Sequence, residues 1–282
     1  MQKKDSQKKM PIRLSRRTRE LDDLLAEELD MALKRRAKRV VEELDLEKGD
    51  KILEAGCGPG YYLNLLARLG AKYQLYGVDI DEKALAIAKK IPNTKSVLKA
   101  DLTRKLPFST NFFDKVILSE VVEHIPNEKK ALKEIYRVLR PGGKVVVTVP
   151  NKNYPLMWDP VNGILEKFTG KHIRQGPWAG IWSNHLRLYS EMQIKNLVKK
   201  SKFTVEKTES LTWWCLPFNH YLLYGDKLKL LPKKLYDNIQ KSLYKKSLAK
   251  SLILKIVNLN DSINSFFKPK NLGIVILVVA KK

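Results

Sequence analysis

Through the middle of the chain, short continuous apolar runs alternate with stretches whose apolar residues recur at helical spacing. Lys51 to Ala55 reads as a buried strand, followed by a tight turn from Gly56 to Gly60 and a helix through Leu69. Further strands are predicted over Gln74–Val78, Ser96–Ala100, Phe113–Leu118 and Lys144–Val149, with helices over Glu82–Lys90 and Glu128–Leu139. A helix over Glu191–Lys200, a strand over Phe203–Glu209 and a final strand over Leu272–Ala280 resume the alternation after a break. Short apolar strands separated by amphipathic helices predict an α/β fold with a seven-stranded, mostly parallel sheet and helices on both faces.

Around this core, 1–18 is a basic stretch poor in large apolar residues, expected to be disordered. In 19–48, Leu21, Leu25, Leu29, Leu33, Ala37, Val40, Val41 and Leu44 keep helical spacing and predict one long or two short helices. The core then spans 49–150 and 185–210, with its last strand in 271–282. Two insertions interrupt it. The first, 151–184, is broken by prolines and glycines and carries Trp158, Phe168, Trp178 and Trp182; the second, 211–270, is predicted to be helical and is rich in Leu, Tyr and Lys.

At 282 residues with 44% hydrophobic and 30% charged positions, the composition is that of a globular protein able to bury a core. Cys57 and Cys215 are far apart and outside any Cys/His cluster, so neither a disulfide framework nor a metal site is expected, and a reducing cytoplasm fits. The charged N-terminus with no apolar run behind it argues against a secretory leader. A formal charge of +24 points to a polyanion partner, either nucleic acid or an anionic membrane touched peripherally. Lys227, Lys229, Lys233, Lys234, Lys241, Lys245, Lys246 and Lys250, interleaved with Leu and Tyr, suit an interfacial helix as well as an ordinary solvated face.

The candidate chemistry lies at the strand ends. Glu54-Ala55-Gly56-Cys57-Gly58-Pro59-Gly60 is a turn through which backbone can approach a nucleotide-like cofactor, either a dinucleotide or S-adenosylmethionine. Tyr61 stands where a dinucleotide fingerprint has its third glycine, and Glu54 would repel a pyrophosphate but attract a sulfonium and an amino group. Asp79 ends the second predicted strand, where it can accept ribose hydroxyls, and Asp101 at the third strand can accept from an adenine amino group.

Val78 to Asp81, Lys99 to Asp101, Pro107 to Asp114, Ser119 to His124, Tyr136 to Gly143 and Thr148 to Asn151 resemble class I S-adenosylmethionine-dependent methyltransferases of the methyltransferase-11 group. The resemblance runs from about Asp50 to Glu209 and implies a Rossmann-like fold. It implies that Glu54, Ala55, Gly56, Cys57, Gly58 and Gly60 surround the methionine part, with Ser119 beside it. Asp79 would hold the ribose, and Ile80, Asp101 and Leu102 would border the adenine. S-adenosylhomocysteine would be the product.

The two insertions then correspond to substrate covers, whose aromatic residues suit a small apolar or lipid-like acceptor. His124 and His185 are the candidate general bases, and the segment Asn184 to Ser190 resembles quinone-pathway and other small-molecule methyltransferases. RNA ranks second as acceptor: the charge favours it, but Ser119-Glu120-Val121-Val122 lacks the motif of base amino-methyltransferases and no RNA-binding module is visible. A non-catalytic binding protein on the same fold is the remaining alternative. Methyl transfer needs no metal, and none is expected.

Overall fold

The computed structural model describes residues 12–70, 72–176, 178–215, 248–267 and 269–282. Two N-terminal helices, α1 (Ile12–Leu25) and α2 (Met31–Glu43), precede the sheet, so the long periodic stretch is two helices. Asp30 separates them by capping α2, its Oδ1 accepting from the amides of Ala32 at 2.9 Å and Leu33 at 3.1 Å. The core then runs β1 (Lys51–Ala55), α3 (Tyr61–Arg68), β2 (Gln74–Asp79), α4 (Glu82–Ala88), β3 (Thr94–Lys99), β4 (Phe113–Ser119), α5 (Glu128–Val138) and β5 (Leu139–Pro150). After it come α6 (Pro160–Thr169), α7 (Glu191–Lys200), β6 (Thr204–Leu211), α8 (Leu248–Phe266) and β7 (Val275–Lys281).

Seven described strands form one sheet in the order β3-β2-β1-β4-β5-β7-β6. β1 to β5 are parallel and β7 is antiparallel to both β5 and β6. This is the expected Rossmann-like α/β sheet. Because side chains alternate across a strand, Ile52, Ile117, Val146 and Leu277 pack on one face with α1 to α4, while Leu53, Val116, Val145 and Val278 pack on the other with α5 and α7. The order reverses at β1 and β4, and the strand carboxyl ends diverge there, which is where this architecture opens a crevice.

Three elements differ from the sequence reading. Residues 12–18, expected to be disordered with the rest of the basic N-terminal stretch, form the first half of α1. β5 begins at Leu139 rather than Lys144, because the chain's C-terminal end satisfies the turn: Gly142 donates to the Lys282 carbonyl at 3.0 Å and Lys282 donates to that of Gly143 at 3.1 Å. The irregular first insertion contains α6, which opens on Asp159 as cap with Pro160 at its first turn and closes on Gly170 at φ 67°. Trp158 and Trp182 of that insertion are buried with Met31, Leu188, Cys215 and Ile274, so these two aromatics build the cover's own core. Trp182 also donates to Glu166 Oε1 at 2.7 Å and stacks on His172, while Phe168 and Trp178 stay exposed. The lysine-rich part of the second insertion before Leu248 and the basic N-terminal segment before Ile12 lie outside the described residues. No described helix is long and apolar enough to cross a membrane.

Candidate active site

The carboxyl ends of β1 to β4 border a cleft of about 810 Å³. Its floor is the glycine loop between β1 and α3. The amides of Gly56 and Cys57 both donate to the Val78 carbonyl, at 2.8 and 2.9 Å, which ties the loop to β2. Gly56 sits at φ 73°, and a Cβ there would lie 2.5 Å from Val121 Cγ2, so neither conformation nor space admits a side chain. Gly58, at φ 49°, would point a Cβ into open space. Bare backbone is thus presented to the cleft.

Glu54 is buried in the cleft wall and caps α3, its two oxygens accepting from the amides of Tyr62 at 3.2 Å and Leu63 at 2.8 Å. Burial pushes its carboxyl up to about 8; the two amides oppose that rise and the nearby Asp79 charge adds to it. Asp79 accepts from the Gly58 amide at 2.7 Å and, through its other oxygen, from the Asp81 amide at 2.8 Å. Next to it Ile80 is 65% exposed, an uncovered apolar side chain in the cleft. Asp101 accepts from the amide and hydroxyl of Thr103 at 2.8 and 2.7 Å, which holds its carboxyl below the ordinary range. Ser119 bridges the hydroxyls of Tyr62 at 3.1 Å and Thr148 at 2.8 Å.

Of the residues singled out in the sequence, Glu54, Gly56, Cys57, Gly58, Asp79, Ile80, Asp101, Leu102 and Ser119 line this one cleft. Ala55 and Gly60 do not line it; Ala55 is buried in the sheet and Gly60 caps α3. Cys57 is buried, which pushes its thiol up to about 12, with Glu54 adding, so it is a packing residue and not a nucleophile.

His124 lines the cleft from the turn Val122–His124, and His185 arrives from the end of the cover with its ring centroid 4.8 Å away. Each ring bonds a loop carbonyl through Nδ1: His124 to Asn184 at 2.9 Å, His185 to Ile181 at 2.5 Å. Burial, and then the charge of His124, keep His185 below the ordinary imidazole range.

Sequence reasoning missed Leu33, Arg36, Glu120 and Glu123. The first two come from α2, which reaches the cleft wall. Arg36 pairs with Glu120 at 3.1 Å, and Glu120, at φ 56°, holds a left-handed conformation unusual for its type while accepting from Thr148 Oγ1 at 3.0 Å. Glu123 is fully buried and neither of its carboxylate oxygens has a hydrogen-bond donor.

A family model for a methyltransferase domain, Methyltransf_11, matches residues 53–147, from β1 through β5. The matched segment is a class I S-adenosylmethionine-dependent methyltransferase domain. An uncharacterized methyltransferase YdaC of Bacillus subtilis is 34% identical over 110 residues, which cover 39% of this methyltransferase and 61% of that relative. The demethylmenaquinone methyltransferase of Staphylococcus aureus is 28% identical over 188 residues, 62% of this chain and 76% of the relative. A crystal structure of a SAM-dependent methyltransferase from Archaeoglobus fulgidus shares the fold, with a TM-score of 0.53 at 20% identity over 91% of this chain and 94% of that one.

S-adenosylmethionine is the methyl donor of this family, and it carries a sulfonium cation. If that cation binds beside Glu54, it draws the raised carboxyl pKa back down, and the free protein would have to give up a proton to bind it. Affinity is therefore expected to climb with pH from about 5.5 to 7.5, below the Glu54 pKa, by up to tenfold per unit. Calorimetry in buffers of different ionisation enthalpy should record proton release near pH 7, and its absence would mean that Glu54 does not sense the ligand.

Proposed function

We propose that the methyltransferase binds S-adenosylmethionine in the cleft between β1, β2, β3 and β4 and transfers its methyl group to a small apolar or lipid-like acceptor. The cleft volume of about 810 Å³ suits a ligand of that size. Three features of the lining fit the donor. Gly58 leaves room for close approach to backbone, Asp79 can exchange its loop contact for ribose hydroxyls, and uncovered Ile80 with Leu102 can sandwich an adenine whose amino group meets Asp101. Ser119, fixed by Tyr62 and Thr148, and Arg36 at the far wall border the methionine end.

The bound cofactor supplies an electrophilic methyl group, displaced in line by the acceptor's nucleophilic atom. What the chain contributes is orientation and exclusion of water. His185 and His124, on the cover side of the cleft, are the groups able to take a proton from an acceptor that carries one.

The observation that carries the acceptor class is the charge of the cleft. Although the chain carries a formal charge of +24, Arg36 is the one Lys or Arg among the described residues lining the cleft, and Glu120 neutralises it. Leu33, Val121, Ile125 and Pro126 supply the rest of that wall. A polynucleotide would find no phosphate partners there, whereas an apolar ring would be covered. The 28% identity to a demethylmenaquinone methyltransferase supports the same class. Incubation of the enzyme and labelled S-adenosylmethionine with lipid extract and, separately, with total RNA tests this. Label is expected in an organic-soluble product, and label confined to RNA would overturn the reading.

Outside the cleft, α8 exposes Leu252, Leu259 and Phe266, apolar positions suited to peripheral contact with the membrane that would hold such an acceptor. Flotation with anionic liposomes is expected, and salt-dependent retention by RNA without flotation would reverse that assignment.

A further inference from the structure

We propose that Glu123, His124 and His185 form a site for a divalent transition-metal ion in the cleft wall, with an open coordination position for an oxygen of the acceptor. Residue order alone does not point to one, since the two histidines are 61 positions apart and the carboxylate precedes only the first. The fold brings them together. His124 Nε2 lies 3.7 Å and His185 Nε2 3.9 Å from Glu123 Oε1, and one donor atom from each of the three residues lies within 4.8 Å of the others.

Three independent features make this a ligand set rather than a coincidence of polar groups. First, both Nδ1 atoms are committed to backbone carbonyls, of Asn184 and Ile181, so each Nδ1 carries the proton and each Nε2 turns a lone pair inward. Metal-bound histidines are oriented by this kind of outer hydrogen bond. Second, Glu123 is 0% exposed and neither of its oxygens receives a donor, a costly state that a cation would relieve. Third, the backbone holding the triad is fixed from both sides, the Leu186 amide donating to the Glu123 carbonyl at 3.0 Å and so tying the His185 segment to the Val122–His124 turn.

The dimensions agree. Metal–ligand bonds of about 2.0–2.1 Å at tetrahedral angles separate ligand atoms by about 3.3 Å, so the two histidine–carboxylate separations need to close by roughly half an ångström and the separation between the two imidazoles by up to about 1.5 Å, within reach of side-chain torsions. Two imidazoles and one carboxylate select a first-row transition ion over magnesium. Three protein ligands leave a position vacant, and His124 lines the cleft, so the vacancy lies on the acceptor side. A metal held here engages both Nε2 lone pairs, so the histidines would then act on an acceptor through the ion and not as bases themselves. Occupation of the open position by an acceptor oxygen rests on the methyl-transfer reading; the metal site itself does not.

Chelator-treated full-length protein is titrated with Co2+ and followed by visible absorption, with Zn2+ retention measured by elemental analysis and Mg2+ as control. One equivalent of Co2+ with tetrahedral or five-coordinate absorption bands, competed by Zn2+ and not by Mg2+, is expected. His185→Ala and Glu123→Gln should each weaken binding by about 100-fold or more. S-adenosylmethionine affinity, read by calorimetry on the same preparations, should change less than about twofold, which separates loss of the metal site from misfolding. Absent Co2+ bands, or metal binding that survives both substitutions, overturns the proposal. Metal binding without methyl transfer to any oxygen-bearing acceptor would leave the site standing and remove the acceptor oxygen from it.

Discussion

Asp79→Ala is expected to weaken S-adenosylmethionine binding by about 100-fold while leaving the protein folded. Asp79 is the last residue of β2, paired through Asp79↔Lys99 with β3, and its backbone stays in the sheet whatever its side chain. What the substitution removes is a carboxylate whose oxygens now accept only from the amides of Gly58 and Asp81. Two hydroxyls donating to a carboxylate contribute together about 3 kcal/mol, hydrogen bonds to a charged group being worth roughly 1.5–3 kcal/mol each before losses. A factor of about 100 corresponds to that energy. The Gly58 amide is left facing the cleft, where water can serve it, so the melting temperature should fall by only a few degrees. Calorimetric titration with thermal denaturation of the same sample separates the two effects. An unchanged dissociation constant would remove Asp79 from the cofactor site.

The largest loss of stability should come from Phe113→Ala, at about 3–5 kcal/mol. Phe113 is fully buried at the start of β4 and is the centre of an aromatic cluster: Phe108 at 4.8 Å, Phe112 at 4.9 Å and Tyr76 at 5.3 Å between ring centroids, all edge to face. This cluster closes the sheet at the end opposite the cleft, since β4 begins at Phe113 and reaches the cleft only at Ser119. The substitution leaves a cavity that the surrounding rings cannot fill without breaking their own contacts. Chemical denaturation should record the loss, and a change below about 1 kcal/mol would mean that the cluster repacks freely.

The sheet and the acids and glycine turn at its strand ends were legible in the sequence because each depends on local order. A strand, its terminal acid or glycine turn, and the next helix fall within a few dozen consecutive residues, so Glu54, Asp79 and Asp101 could be located by position alone. Their present hydrogen bonds could not. Glu54 is occupied in capping α3, and Asp79 in holding the glycine loop, because in the folded chain each acid lies beside backbone amides that face no other partner.

The side of the cleft built by α2 and the cover was less legible for a tertiary reason. Arg36 and Leu33 enter the cleft from α2, and the periodicity of that helix says which side is apolar but not what it covers. Glu123 read as one more polar residue of a turn, and only the folding back of His185 makes it a buried carboxylate between two imidazoles. α6 was obscured by Gly163 within it, although Asp159, Pro160 and Gly170 mark both of its ends. Of the cover aromatics, Trp158 and Trp182 were indistinguishable in sequence from Trp178, yet the first two are packed and the third is exposed. Burial at such positions is set by the approach of α8 and β7, which bring Val257 and Val275 to the same cluster.

The most direct test of the central claim is calorimetric titration of the full chain with S-adenosylmethionine, S-adenosylhomocysteine and NAD in parallel. One-to-one binding of the first two, with no heat from NAD, is the expected result, because Glu54 already occupies the α3 amides of Tyr62 and Leu63 that would hold a pyrophosphate, and Tyr61 stands where a dinucleotide-binding loop has its third glycine. Binding of NAD with no affinity for S-adenosylmethionine would contradict it.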